Sequence, residues 1–279
     1  MAITNFIPTI WSENLYTALD KKYVAVANCT REYEGDIKNM GSVVKICGVG
    51  NVNVANYTKD TDMTTPQTLS DTVKELCIDK AKYFNFQIDD VDRAQCTPKL
   101  MDAAMSVAAN ALANAADQAV FQLYRKSDNR FTHIYETAEG LVDYLLSIRE
   151  RLYYSGAVDS SQVILEISPA VATCLLKAKM LTVSDNTGIV ETGCIGSFFG
   201  CKVFVSNNIC TDPITPDETH YCIMRTTRSV AFAEQLSEIE AYRPEKRFAD
   251  AVKGLHLYGT DIIYPDEYFV AEITLLNVI

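Results

Sequence analysis

Apolar and polar residues alternate over 81–89, with Phe84, Phe86 and Ile88 on one side and Tyr83, Asn85, Gln87 and Asp89 on the other. A period of two predicts a half-buried β-strand. The stretch "SVVKICGVGNVNVANY" (42–57) reads as strand, glycine-containing turn and strand, and "VKELCID" (73–79) resumes the strand pattern. Between them, residues 58–72 hold only Met63 and Leu69 as large apolar side chains, among Thr, Asp, Pro and Ser. Two extended arms around a polar tip predict a long β-hairpin. An arm of that length cannot bury itself against its own chain, so it is expected to lean on something else.

Helical spacing links Trp11, Leu15, Leu19, Tyr23 and Val26, behind Ser12 as a plausible N-cap. Thr97-Pro98 opens the longest helix, carried by apolar residues at 100, 104, 107, 108, 111, 112, 115, 119 and 123. Running to residue 126, it is a rod of about 42 Å at ~1.5 Å per residue. Its mostly alanine face permits close approach by a neighbour. Beyond it the texture alternates: a helix over 137–156, a buried strand "QVILEI" and a helix opened by Ser168 and Pro169. Strands "FGCKVFVSNNI" and "YCIMRTT" follow, and the last fifty residues mix strand alternation with turns at Gly254, Gly259 and Pro265.

Charge and composition then narrow the classes. The 279 residues carry a net charge of −11, which argues against a dedicated nucleic-acid binder with its basic patch. A 48% hydrophobic content is that of a globular chain. No apolar run approaches the ~20 residues of a membrane helix. "MAITNFIPTIWSENL" lacks the form of a signal peptide, so the expectation is a soluble protein kept in a cytoplasm. Nine cysteines are scattered without any CxxC, and read as reduced core hydrophobes, with a metal site or an inter-subunit disulfide as the alternatives.

The search for chemistry is short. His133, His220 and His256 stand far apart without a motif. Ser197 in "GSFFG" is not in a nucleophile-elbow arrangement, and "GVGNVN" leads into a strand where a phosphate cradle needs a helix. Asp89, Asp90 and Asp92, with Arg93, miss the calcium-loop register. They read as a charged joint before the long helix, where carboxylates favour the positive end of its dipole, with a cation site as the alternative. No catalytic residue, cofactor or metal is predicted.

"TNFIPTIWSENLYTALDK", "REYEGDIKNMGSVVKI", "AKYFNFQIDDVDRAQ" and "KGLHLYGTDIIYPDEYFV" occur here in order. Together they resemble a branch of tailed-bacteriophage major capsid (coat) proteins over nearly the whole chain. The resemblance implies an α+β fold of the Hong Kong 97 type. It would place an N-arm at 1–35, an extended hairpin or E-loop at 43–79, and a P-domain at 80–130 with a spine helix at 97–126. An A-domain would span 131–225, and 226–279 would complete the P-domain. The implied function is self-assembly into pentamers and hexamers of an icosahedral head enclosing double-stranded DNA, in a virion assembled in the bacterial cytoplasm. Expected partners are further copies of the chain, a portal and possible decoration proteins. The short stretch Met1–Ile10 implies a separate scaffolding protein, or none. Candidate inter-subunit contacts are Phe6, Ile7, Trp11, Lys59, Asp60, Asp62, Met63, Leu69, Asp90, Asp92 and Arg93. The alternatives are an encapsulin-like compartment shell and an α/β enzyme with an unrecognised site.

Overall fold

The computed structural model describes residues 23–33, 41–49, 71–89, 100–156, 163–179, 181–183, 193–214, 217–246 and 248–276, with Asn56 and Lys59. In chain order, β1 (Val43–Val49), β2 (Asp71–Cys77) and β3 (Lys80–Asp89) precede the longest described helix, α1 (Leu100–Phe121). Next come β4 (Arg130–Tyr135), α2 (Ala138–Tyr154), β5 (Val163–Ile167), α3 (Pro169–Lys177), the short β6 (Thr182–Val183), β7 (Cys194–Phe198) and β8 (Cys201–Val205). The rest is strand: β9 (Thr211–Ile214), β10 (Asp217–Thr226), β11 (Val230–Tyr242), β12 (Ala249–Ile262) and β13 (Tyr268–Leu275).

These strands form three sheets. β1 and β2 make an antiparallel ribbon with Val43 opposite Cys77 and Val49 opposite Asp71. β11, β12 and β3 make an antiparallel sheet of three, in which Ala249 faces Asp89 and Tyr258 faces Lys80. The largest sheet runs β4-β13-β10-β5-β8-β7-β6, with β9 beside β10. The fold is therefore mixed α+β and sheet-rich.

Several local readings hold. Along β3, Phe84, Phe86 and Ile88 are half-buried while Tyr83, Asn85, Gln87 and Asp89 are exposed. Thr137 caps α2 by accepting from the Gly140 N–H, and Ser168 caps α3 by accepting from the Val171 N–H, with Pro169 in the first turn. Every residue of β5 is buried, as a continuous apolar run requires.

Other readings are corrected. α1 ends at Phe121 and tightens into a 3-10 turn over 122–126, so its described α-helical part is about 33 Å. Of the expected stripe Ala108, Leu112, Ala119 and Leu123 are buried, joined by Met105, Ala109, Ala113, Ala116 and Val120 beside it, whereas Val107 is 66% exposed and Ala111 is exposed. The buried face is thus wider than the expected stripe and leaves two of its positions out, because alanine occurs all round this helix and does not fix the phase. Gly254 and Gly259 lie inside β12, not in turns. Both are sites of close approach: a methyl on Gly254 would overlap the Phe84 ring, and one on Gly259 the Cys77 carbonyl. The hairpin also buries more against its own chain than its length suggested. Val44, Ile46, Leu76 and Ile78 pack on Ala231, Ala233 and Leu257 of the three-stranded sheet. Burial of each is worth about 1.5–3 kcal/mol, so the hairpin base is fixed. Among the cysteines described, Cys194, Cys201 and Cys222 are buried, but Cys77 is exposed and is no core residue.

Candidate functional site

The candidate site has two described roots, the stretch at 23–33 and the β1–β2 ribbon. The first root is residues 23–33. Val26–Asn28 form a single 3-10 turn whose ends meet opposite buried charges. Asp117 of α1, 1% exposed, accepts three N–H donors: Val24 on Oδ2, and Ala25 and Val26 on Oδ1, each at 3.0 Å. At the other end Arg225 of β10, wholly buried, donates to the carbonyls of Asn28 (2.9 Å) and Ala25 (3.2 Å). An anion at the amino end and a cation at the carboxyl end complement the turn's orphan groups and its dipole.

Arg225 is itself held by Glu166 of β5. Nε donates to Oε2 and Nη2 to Oε1, both at 3.0 Å, a bidentate pair at 0% exposure on each side. The guanidinium stays charged in this setting: burial works against the charge, and Glu166 more than restores it.

The same root carries a second cluster. Glu234 of β11 accepts from the Tyr23 hydroxyl (2.5 Å), from Arg31 Nη2 (2.5 Å) and from His256 Nε2 of β12 (2.7 Å). A carboxylate acceptor fixes the proton on Nε2 of His256 and leaves its buried Nδ1 without a hydrogen-bond partner. Burial pushes the Glu234 carboxyl up, but the His256 and Tyr23 hydrogen bonds and the Arg31 charge hold it below its ordinary value. Thr30 then continues onto β11, donating its N–H to Val230 and accepting from the Phe232 N–H.

Asp117 behaves in the opposite sense. Burial raises its carboxyl from 3.8 to about 6 against the pull of its three N–H donors. A folded-state value above the unfolded one means that the folded protein binds this proton more tightly. Stability from this group is therefore fullest below about 4 and is lost as pH rises through about 6. Asp117→Asn should remove that slope. In urea melts the stability difference, wild type minus variant, should be larger at pH 4.5 than at pH 7, by about 2 kcal/mol. Parallel curves for the two proteins would show that Asp117 is not the titrating group.

The second root is the β1–β2 ribbon already described. Of the expected contact residues, Lys59 is in a turn and exposed. Phe6, Ile7, Trp11, Asp60, Asp62, Met63, Leu69, Asp90, Asp92 and Arg93 lie outside the described residues, and the charged joint is seen only up to Asp89, at the end of β3. The clasp residues Asp117, Glu166, Arg225, Glu234 and His256 were missed. Their signal was a charge inside an apolar run, as in "QVILEI" and "YCIMRTT", where an ionic group persists only if partnered.

The Glu166–Arg225 pair is sealed within the core, and the Glu234 cluster reaches the surface only through Arg31. His133 stacks on Tyr144 at 4.6 Å, and burial holds the His220 imidazole below its usual range. Among the described residues no group of three His, Cys, Asp or Glu side chains could hold a metal ion. No described helix is long and apolar enough to cross a membrane. A half-open groove of ≈ 340 Å³ lies where α1 meets the start of β3, with Ala115, Ala119 and Tyr258 in its lining.

No family model and no curated protein matches the chain. Solved structures do. A structure from Mycobacterium phage Che8 is 26% identical, covering 89% of this chain and 90% of its own, with a TM-score of 0.68. The capsid of Ralstonia phage GP4 shares the fold at 10% identity, covering 89% and 86%, with a TM-score of 0.67. A virus-like particle from Pyrococcus furiosus shares it more loosely, at 13% identity over 94% and 96%, with a TM-score of 0.52. In fold across most of its length, and in sequence to the Che8 structure, this chain resembles the major capsid proteins of tailed bacteriophages.

Proposed function

We propose that the chain is the repeating subunit of an icosahedral phage head, assembling as pentamers and hexamers around double-stranded DNA. The observation that carries this is the match to the Che8 structure over nine-tenths of both chains. The two roots support it physically. On this reading residues 1–35 are an N-arm rooted by the Asp117–Arg225 clasp, and 43–79 an E-loop rooted on Ala231, Ala233 and Leu257. Residues 80–130 and 226–279 form the P-domain, with α1 as the described part of a spine spanning 97–126. Residues 131–225 form the A-domain. Each long segment lies on a neighbouring copy, through Phe6, Ile7 and Trp11 in the arm and Lys59, Asp60, Asp62, Met63 and Leu69 in the loop. The joint at Asp90, Asp92 and Arg93 sets register. Heterologous contacts that close give rings, and many weak contacts let misplaced subunits leave before the shell seals. A portal, decoration proteins and any separate scaffolding protein are further partners on this reading, and no catalytic step is assigned.

Purified protein viewed in negative stain should form closed shells. Removal of residues 1–10, or replacement of 58–72 by a short turn, should leave soluble protein sedimenting as small species. Normal shells from both variants would overturn the assignment of the arms. The Pyrococcus furiosus particle motivates a second reading, a compartment shell. Particles from the native source that hold a protein cargo and no nuclease-protected DNA would favour it.

A further inference from the structure

His133 and His220, far apart in sequence, share one face of the largest sheet. His133 of β4 pairs with Ile273 of β13, which pairs in turn with His220 of β10. Paired residues point to the same face, so the two imidazoles flank Ile273. That face is covered by α2: Ile273 and Cys222 share a core with Leu141, Leu145 and Ile148, and the Tyr144 ring stacks on His133 at 4.6 Å. His220 is only 4% exposed, and neither of its ring nitrogens has a hydrogen-bond partner. His133 is half-buried, with its Nε2 sealed and equally unpartnered. Burial holds both rings below their ordinary value of 6.5, against the pull of Glu136 on His133 and of Glu218, whose carboxylate lies 3.7 Å from His220 Nε2. The other titratable side chains on this face are Tyr135 of β4, Tyr144 of α2, Cys174 of α3 and Cys222 of β10, with Arg151 of α2 over the Phe131 ring. β13 and β9 bring only Ile273 and Thr211 to the histidine row.

We propose that β4 and α2 form an acid-operated latch, which lifts from the β13–β10 face when His133 and His220 take up protons. The connectivity allows it. β4 is an edge strand held only by β13 among the described strands, and the Thr137 cap joins it directly to α2. Residues 130–154 can therefore open as one local unit while the rest of the sheet stays paired. The sign follows from the burial. A closed form that binds these protons less tightly than the open form keeps its full stability above about 6.5 and loses it as pH falls below that value. Each ring shifts the balance toward opening by up to about tenfold per pH unit, and two rings by up to about a hundredfold. Asp117 acts in the opposite sense on α1, so acid loosens one part of the chain while it tightens another. The latch needs no contact between copies, so it stands or falls apart from the assembly reading.

Amide hydrogen exchange of the full, unassembled chain at about pH 5 and about pH 7.5, corrected for intrinsic rates and mapped by mass spectrometry, reads the latch directly. Residues 130–154 should exchange at least about tenfold faster at the lower pH, while α1 keeps its protection. The double variant His133→Phe/His220→Leu keeps a ring on Tyr144 and sets an apolar side chain beside Ile273. It should abolish the acceleration and melt no lower than wild type at the higher pH, since two unpartnered buried groups are gone. Proton NMR titration of the wild-type imidazole Cε1–H signals, assigned with the single variants, should give midpoints below 6.5 for both rings. Acceleration that persists in the folded double variant, a wild-type segment 130–154 that ignores acid, or midpoints at or above 6.5 each overturn the latch. Should the double variant fail to fold, the wild-type exchange and titration decide the matter by themselves.

Discussion

Arg225→Met should lower the unfolding free energy of the unassembled chain by about 3–5 kcal/mol, the usual consequence of stranding one member of a buried ion pair. Three losses combine. Glu166, at 0% exposure, keeps a carboxylate with no counter-charge, and the Ala25 and Asn28 carbonyls lose their donor. Glu166 must then take up a proton or draw in water, and either costs free energy in a packed core. The double variant Glu166→Leu/Arg225→Met separates these contributions. An apolar pair removes the stranded charge, so it should recover much of the loss while the two carbonyls stay undonated. Amide exchange adds a local readout: residues 24–29 should exchange faster in both variants, because the turn loses its carboxyl-end partner in each. A loss below about 1 kcal/mol in Arg225→Met would mean that the pair does not hold the root as described.

The clasp also shows what pattern reading reaches. Alternation found β3 and the hairpin base, and capping residues found α2 and α3, because those signals lie within a few residues of one another. Asp117, Arg225 and Glu234, from α1, β10 and β11, meet residues 23–31 at separations of about 90 to 210 positions, and Glu166 of β5 holds Arg225 across 59. No local period encodes such a meeting. A charged residue in an apolar strand marks that a partner exists without naming it. β4 went unread for a related reason: "RFTHIY" alternates too briefly to stand out, and its strand character is completed by parallel pairing with β13. The face of α1 was only partly read, because its sequence offers alanine on several sides: Ala108, Leu112 and Ala119 are buried as expected, but the sheet packed against the helix also buries Ala109, Ala113 and Ala116. The contact residues carried by the family resemblance remain proposals, since all but Lys59 lie outside the described residues.

Gly259→Ala reverses the sign that a strand glycine ordinarily gives. In a free strand the exchange stabilises by about 0.4–1 kcal/mol, because alanine leaves the unfolded chain fewer conformations. Here the new methyl would overlap the Cys77 carbonyl oxygen and lie 2.9 Å from Ile78 Cδ1, just where the hairpin base crosses β12. A carbonyl cannot rotate away as a side chain can, so β2 must lift or β12 must bend, and a loss near the top of the ~1–3 kcal/mol range for overpacking follows. Gly254→Ala is the matched comparison. Its methyl meets the edge of the Phe84 ring, a half-buried side chain able to swing, so the loss should be about 1 kcal/mol or less. Urea melts should rank the two variants in that order, and equal losses would place the constraint somewhere other than the Cys77 backbone. The larger consequence is directional. Val44, Ile46, Leu76 and Ile78 hold the hairpin only while β2 lies flat on β12, and a tilt of a few degrees at this crossing is magnified along the ribbon. Gly259→Ala should therefore stay folded at low temperature yet fail to close shells, whereas Gly254→Ala should close them.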